Sequence, residues 1–224
     1  SAGATYPAMR YTFGRSELYT QTELESDKSD KGLYVATDDY GTSYYYRGSV
    51  NNNYVYFAGY YWRIIRINGD GSIRLLYAGE TKDATGEKTI IGRSPFNIQK
   101  NLPAYIGYMY GDINGTTLEE VNANTNDSTI KSYLDSWYEE NLSSYSSYIA
   151  DSGFCNDRTL STRDNNGNGI QTDKNTYYAV SDRHSINYSP ILICPNAKSD
   201  FFTVSNIIGN QALIYPIGLI TVDE

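Results

Sequence analysis

The chain has 224 residues, among them 24 tyrosines, and a formal net charge of −8 at pH 7. Its Lys and Arg residues are scattered and do not form the basic stripe that phosphate neutralisation needs, which argues against a nucleic-acid partner. No stretch approaches the roughly 20 apolar residues of a spanning helix, so we expect no membrane insertion by this segment.

The first part of the chain differs in composition from the rest. Residues 1–31 are polar and mixed in charge, and we predict that they form an arm or linker. From residue 32 the sequence changes to short runs of β-forming residues, such as GLYVAT, SYYYRGSV and YVYFAG, which predict an antiparallel β-meander. We predict that residues 32–224 form a single α+β domain.

The clearest predicted element is a hairpin, in which YYWRIIRI and SIRLLYAG flank the turn at residues 68–71. Its NGDG sequence favours a hairpin turn because Asn and Gly tolerate positive φ. A metal site is the less favoured interpretation of this turn. Trp62 and Ile64 alternate with Arg63 and Ile65, so neither face of the first strand is purely polar, and we expect a central strand covered on both sides.

A second group of elements follows the hairpin. AYIGYMYG predicts a strand or an aromatic loop, and DSTIKSYLDSWYEENL predicts an amphipathic helix over about 127–142, capped by Asp127 or Ser128. Its apolar face consists of Ile130, Leu134, Trp137, Tyr138 and Leu142. Its predicted exposed face consists of Lys131, Asp135, Glu139 and Glu140. A second short helix is expected around Tyr145, Tyr148 and Ile149.

The last third of the chain predicts short strands and one long loop. The runs TYYAV, SPILICP, DFFTV and ALIYPIGLI are strand-like, and residues 156–176 form the loop. Cys155 and Cys194 are the only cysteines, and with one histidine they are too few for a tetrahedral zinc site. We favour a disulfide between them over two buried free thiols, and a disulfide implies an oxidising or extracellular compartment.

The long loop resembles a calcium-binding loop of the EF-hand type. Oxygen side chains occupy positions 1, 3 and 5 of the pattern, and a glycine occupies position 6. The candidate ligands are Asp164, Asn166, Asn168, the carbonyl of Ile170, and Asp173. Position 12 is Asn175 instead of the usual bidentate Glu, so Asp173 has to close the coordination shell. A flexible polar loop is the alternative interpretation.

The sequence offers little for catalysis, and we assign no catalytic residue. His184 has no nucleophile-elbow pattern near it, as a serine triad of the hydrolase type requires. Adjacent acids that glycoside cleavage could use are more typical of solvated faces; they are Glu119, Glu120, Glu139 and Glu140. We therefore predict that the protein is not an enzyme.

Tyrosine is the most distinctive residue of the chain. Abundant Tyr with Asn, Ser and Gly is typical of secreted recognition surfaces, although polar sheets also use these residues for packing. About half of the tyrosines in an alternating strand must face the core. Candidates for contact with a carbohydrate, by residue type alone, are Tyr44, Tyr45, Tyr46, Tyr60, Tyr61, Tyr108 and Tyr110.

Several motifs together resemble a known family. YYYRG, YYWRIIRINGDGSIRLLYAG, YIGYMYG, NTNDSTIKSYLDSWYEENL, GFCNDR, CPN, FTV and YPIGLITVDE are similar, in the same order, to uncharacterised cell-surface proteins of gut Firmicutes and related Gram-positive bacteria. The resemblance covers about residues 32–224. It implies a C-type-lectin-like or formylglycine-generating-enzyme-like fold and favours a Cys155–Cys194 bridge. It also leads us to expect a domain that continues beyond residue 224 and an anchoring segment outside this chain.

These features lead to one predicted function and two alternatives. We expect an extracellular, surface-displayed adhesion domain that recognises a glycan or protein of a host or a neighbouring cell, with calcium as a candidate cofactor. A structural pilus-like or surface-layer subunit is the first alternative, and a degenerate enzyme of glycan metabolism is the second.

Overall fold

The computed structural model describes residues 18–19, 33–46, 53–99, 101–170 and 172–224. They form the predicted α+β architecture, with one main sheet followed by short helices and long irregular segments. The strands of the main sheet are β1 (Leu18–Tyr19), β2 (Leu33–Asp38), β3 (Gly41–Tyr46), β4 (Tyr54–Phe57), β5 (Tyr60–Ile67) and β6 (Ile73–Gly79). Four shorter strands are β7 (Met109–Tyr110), β8 (Asn126–Asp127), β9 (Phe154–Cys155) and β10 (Phe201–Phe202).

The helical elements lie in the second half of the chain, apart from two 3-10 helices. The α-helices are α1 (Leu118–Val121), α2 (Thr129–Asn141), α3 (Ala179–Asp182) and α4 (Ala197–Asp200). The 3-10 helices are Gly86–Thr89, Pro103–Tyr105 and Ser143–Tyr148, and a π-helical turn spans Arg183–Asn187. Within the described ranges, no helix has both the length and the apolar character needed to cross a membrane.

The main sheet confirms the predicted antiparallel sheet but is not a simple meander, because among the described residues β3 pairs with β5 instead of β4. Its strands are antiparallel except for β1 and β2, which pair in parallel, and β5 is the central strand. One edge of β5 pairs with β4 and β3, and the other edge pairs with β6. The predicted arm over residues 1–31 lies outside the described residues, apart from the two residues of β1.

Two tight turns set the register around β5. Ala58 and Gly59 connect β4 to β5 with φ values of 53° and 85°, the positive pair that two-residue hairpin loops need. In the second turn, the Ser72 amide donates to Asp70 Oδ1 at 2.9 Å and the Gly71 amide donates to the Asn68 carbonyl at 2.8 Å. The NGDG sequence therefore forms the predicted hairpin turn, and the Asp70 carboxylate is part of it.

Helix α2 confirms the predicted amphipathic helix. The Ser128 hydroxyl caps it by accepting a hydrogen bond from the Lys131 amide at 3.2 Å. Tyr138 and Leu142 pack in one core cluster with Trp62 of β5. Leu134 packs in a second cluster, whose other buried members are Tyr108, Met109, Phe202 and Leu213. The helix thus joins the sheet to the C-terminal third of the chain.

The predicted exposed face of α2 is wrong at two positions. The Lys131 side chain is 0 % exposed, and its Nζ lies 2.6 Å from Asp135 and 3.1 Å from Asp127. Asp135 is also buried, and burial raises the pKa of its carboxyl against the opposing hydrogen bond from Lys131. Acids one turn before and one turn after the lysine allow its charge to be buried as an ion pair. Glu139 and Glu140 are exposed as predicted.

Only one of the four strand-like runs in the C-terminal third forms a strand. DFFTV contains β10, which pairs with β9 and places Phe201 opposite Cys155. For the other three runs the prediction is wrong, since the described residues show only isolated bridges there, such as Leu192 to Asp38. Side chains satisfy part of the backbone hydrogen bonding in these runs instead. For example, the Asp39 carboxylate accepts a hydrogen bond from the Cys194 amide at 3.1 Å.

Candidate ligand-binding face

The two sides of the main sheet have different environments. Cross-strand pairing places Tyr44 opposite Ile67 and Tyr54 opposite Arg63, and alternation puts all four side chains on one side. We call this side the outer face. Its residues are Val35, Thr37, Thr42, Tyr44, Tyr46, Tyr54, Tyr56, Tyr61, Arg63, Ile65, Ile67, Ile73 and Leu76.

Burial separates the outer face from the inner face. Buried residues of the inner face are Tyr34, Ala36, Asp38, Ser43, Trp62, Ile64, Arg66 and Arg74. Every outer-face residue is half-buried or exposed, and none of the described ones belongs to either core cluster. Helix α2 packs on the inner face through Trp62, and within the described ranges no helix shares a core cluster with the outer face.

Five tyrosines dominate the outer face, and some of them contact one another. The rings of Tyr56 in β4 and Tyr61 in β5 lie 5.0 Å apart between centroids, as cross-strand neighbours on the same face. Tyr56 is 62 % exposed, although it lies within a paired strand. The other three are Tyr44, Tyr46 and Tyr54. Rings held on paired strands lose little conformational entropy when a ligand stacks on them.

Arg63 adds a positive charge to this aromatic surface. Its guanidinium carbon lies 4.9 Å from the centre of the Tyr54 ring, a cation–π distance. Its Nη2 donates to Asn53 Oδ1 at 3.3 Å, and the buried Asn53 side chain donates in turn to the Ile64 carbonyl at 2.9 Å. The guanidinium is therefore positioned by a residue that is itself bonded to the central strand.

The predicted tyrosine candidates divide between the two sides of the sheet and the core. Tyr44, Tyr46 and Tyr61 lie on the outer face, as contact with a ligand requires. The other candidates pack inward: Tyr45 stacks on Tyr34, Tyr60 donates to Asn141 Oδ1 at 2.6 Å, Tyr108 is buried, and Tyr110 lies 4.9 Å from the Tyr105 ring. Burial also raises the pKa of Tyr108 well above its usual range.

Sequence reasoning missed two outer-face tyrosines, Tyr54 and Tyr56. The signal was present, because the two residues are spaced by two and precede the Ala58-Gly59 turn. A two-residue turn pairs Phe57 with Tyr60 and therefore Tyr56 with Tyr61. Recognising that turn places Tyr54, Tyr56 and Tyr61 on one side.

The predicted calcium loop is an exposed loop with an ordered anchor. Asp164, Asn168 and Asp173 are exposed and Ile170 is half-buried. Asn166 ties the loop together, since its Oδ1 accepts from the Tyr177 amide at 2.7 Å and its Nδ2 donates to the Ser161 carbonyl at 2.8 Å. The Asn168 side chain accepts from the Ile170 amide at 3.0 Å.

Calcium binding at this loop stays a prediction. The carboxylates of Asp164 and Asp173 face solvent on the loop, whereas the amide of Asn166 already makes hydrogen bonds that coordination would alter. In the ranges that the structure describes, no group of three or more His, Cys, Asp or Glu side chains has the arrangement of a metal site. The candidate loop differs from such a group because it combines two Asp side chains with Asn side chains and the Ile170 carbonyl.

The predicted disulfide is confirmed. Cys155 in β9 and Cys194 are bonded, with their Cα atoms 5.5 Å apart and a sequence separation of 39. Cys194 is buried, and its amide donates to Asp39, which follows β2. The bridge therefore ties β9 to a segment held against the main sheet.

The acidic and histidine side chains considered for catalysis lie apart from the outer face. Glu120 accepts from the amides of Thr116 and Thr117 and caps α1, and these backbone hydrogen bonds lower the pKa of its carboxyl. Glu119 is exposed next to it, and His184 is exposed on the π-helical turn. The prediction that no residue is catalytic stays a prediction.

No protein-family model, curated protein or solved structure matches this chain. The resemblance to Gram-positive cell-surface proteins and the C-type-lectin-like architecture therefore stay predictions. The register, exposure and chemistry of the outer-face residues make this face the candidate ligand-binding site.

Proposed function

We propose that this protein is an extracellular, non-catalytic surface domain that binds a glycan or protein ligand through the outer face of its main sheet. The observation behind this proposal is a sheet face that presents five tyrosines and an arginine without burying any of them. None of these side chains belongs to either of the two core clusters in the described part of the chain. Aromatic side chains that lie outside the core clusters and reach solvent are typical of recognition surfaces.

The chemistry of the face suits a polar ligand with flat apolar patches. Tyrosine rings offer apolar faces for the C–H side of a sugar ring or for a peptide side chain, and their hydroxyls offer hydrogen bonds. Arg63, held over Tyr54, supplies donors for a carboxylate, a carbonyl or a sugar hydroxyl. A preorganised aromatic pair, Tyr56 and Tyr61, would act as the centre of the contact.

The disulfide supports the extracellular part of this proposal. A bonded Cys155–Cys194 pair persists in oxidising surroundings and is uncommon in a reducing cytosol. An extracellular location is therefore the proposal that agrees best with the covalent structure. Attachment to a cell surface is part of the same proposal and comes from the resemblance of the sequence to surface proteins.

We expect Tyr56→Ala and Tyr61→Ala each to weaken ligand binding by about tenfold or more, because each removes a ring from the centre of the contact. The ligand is first identified by applying the purified chain to an array of glycans and host proteins. Titration by biolayer interferometry then gives the Kd of each variant. Tyr56 is mostly exposed, so its truncation should leave the melting temperature nearly unchanged.

The matched control for this experiment is Tyr148→Ala. Tyr148 is an exposed tyrosine on the 3-10 helix Ser143–Tyr148, outside the outer face. We expect its Kd to equal that of the unaltered chain. Equal affinity of all three variants would contradict the proposed face. Concentration-dependent self-association that Tyr56→Ala abolishes would instead indicate an assembly subunit.

Calcium adds a separate prediction to this proposal. If the loop holds calcium, isothermal titration of the metal-free chain with CaCl₂ should give a saturable one-site isotherm, and Asp164→Ala with Asp173→Ala should abolish it. The control is Asp83→Ala, an exposed acid outside the loop, which should keep the isotherm. An isotherm without saturable heat would contradict calcium binding at residues 164–173 while leaving the tyrosine face untouched.

A further inference from the structure

A cavity formed mainly by the C-terminal third of the chain is distinct from the tyrosine site, because its lining shares no residue with the outer face. Its volume is about 210 Å³, and β9, β10 and the segment Leu219–Asp223 surround it. Most of the lining is apolar, including Phe96, Tyr108, Phe154, Phe202, Leu219 and Ile220. A cavity of roughly 150 Å³ with apolar walls is large enough to bind benzene, so this one has room for a single aromatic ring.

An acidic group stands in the apolar wall. Asp157 lines the cavity and is only 8 % exposed. Its Oδ1 accepts from the Thr159 amide at 3.0 Å. Its Oδ2 is ion-paired with Arg183, whose Nη2 lies 2.8 Å away. Both carboxylate oxygens therefore have partners, and Asp157 acts on a ligand in the cavity through its charge.

The charge balance at this end of the cavity is negative. Arg183 also pairs with Asp223, through its Nε at 3.0 Å and its Nη2 at 2.7 Å. Two carboxylates therefore share one guanidinium, and the cavity lining includes both Asp157 and Asp223. A cationic group next to Asp157 would balance the excess charge, whereas an anionic group would add to it.

We infer that this cavity is a binding site for a small primary amine with an aromatic or branched aliphatic body. The body would lie among Phe154, Phe202 and Leu219, and the ammonium would lie near Asp157 and Asp223, which share the single charge of Arg183. Side chains at the rim are partly exposed, among them Phe96, Ile220 and Val222. The wall formed by Leu219–Asp223 has no helix or strand, so a ligand would enter by displacing irregular chain only.

Three probes of similar size test this inference: phenethylamine, ethylbenzene and 3-phenylpropionate. In ¹H–¹⁵N NMR titrations at pH 7, we expect phenethylamine to bind at least tenfold more tightly than 3-phenylpropionate and to shift the amides of Phe154, Asp157 and Phe202. Asp157→Asn should remove most of the preference for the amine while leaving the affinity for ethylbenzene unchanged, because it removes the charge and keeps the apolar walls.

A second variant covers the case in which Asp157→Asn fails to fold. Ile220→Trp should fill the rim of the cavity and weaken the binding of all three probes by at least tenfold. The control is Ile214→Trp, at an exposed position that does not line the cavity, and it should leave their binding unchanged. Equal affinity of the unaltered chain for the amine and the carboxylate would overturn the inference. It would also be overturned if the unaltered chain bound none of the probes, or if Ile220→Trp left their affinities unchanged.

Discussion

Asp200→Ala should lower the free energy of unfolding by about 3–5 kcal/mol, because it leaves a buried guanidinium without its partner. Arg158 and Asp200 are 3 % and 2 % exposed. The Arg158 Nε and Nη2 lie 2.8 Å and 2.7 Å from Asp200 Oδ1, and the Arg158 amide donates to Asp200 Oδ2 at 2.9 Å. The aspartate therefore satisfies both the side chain and the backbone of the arginine.

The remaining donors of Arg158 connect elements that are distant in sequence. Its Nη1 donates to the Met109 carbonyl of β7 at 3.0 Å, and its Nη2 donates to Asn124 Oδ1 at 3.0 Å and to the Ser199 carbonyl of α4 at 2.9 Å. An uncompensated charge at this position would disturb every one of these segments. For that reason we expect a global effect on unfolding and not local fraying.

Urea denaturation followed by tyrosine and tryptophan fluorescence measures this loss. The matched control is Glu87→Ala, which removes the partner of Arg93 in an ion pair that is exposed on both sides. Exposed pairs contribute less than about 1 kcal/mol. A loss for Asp200→Ala as small as that of the control would contradict a stabilising role for the buried pair. The double variant Arg158→Met, Asp200→Leu should lose less free energy of unfolding than Asp200→Ala, because it leaves no buried charge unpaired.

Much of the main sheet could be predicted from the sequence because its signals are local. The alternation along β5 and the NGDG turn define a hairpin within 20 residues, and both appear in the structure. Helix α2 was predictable for the same reason, from spacing and from the capping residue Ser128. The exception was Lys131, whose charge suggested a solvated side chain. The acids four residues before and after it indicated the alternative, an ion pair that can be buried.

The C-terminal third was harder to predict because strand formation depends on partners. ALIYPIGLI has the composition of a strand, yet the described structure gives it no neighbouring strand to pair with. Nearby backbone amides instead hydrogen-bond to side chains. For example, the Asp151 carboxylate accepts from the amides of Val204, Ser205 and Asn206. Local propensity does not reveal such contacts between residues more than 50 positions apart.

The candidate site was predictable in residue type but not in position. Tyrosine abundance indicated a recognition surface, and alternation indicated that about half of the tyrosines face the core. Which tyrosines remain exposed depends on which side of the sheet α2 covers. That choice is made by tertiary packing and not by the local sequence. Trp62 marks the covered side, so residues in register with Trp62, such as Tyr77, face inward, and Tyr61 faces outward.

The disulfide provides the second large effect on stability. Replacing both cysteines, Cys155→Ser with Cys194→Ser, should lower the free energy of unfolding by about 4 kcal/mol, since the bridge closes a long loop and restricts the unfolded chain. The same loss should follow when the unaltered chain is treated with a phosphine reductant. Urea denaturation with and without reductant measures both effects.

Cysteine replacement and chemical reduction together separate the effect of the covalent bond from the effect of sulfur packing. Cys194 is buried beside Asp39, so serine at this position adds a polar group to a closed site, whereas reduction leaves both sulfurs in place. If the bridge acts through the unfolded chain, reduction alone should account for most of the loss, and the serine variant should not respond to reductant. An unaltered chain that releases two titratable thiols on reduction without any loss of stability would contradict this account. It would also weaken the structural argument that the protein depends on an oxidising compartment.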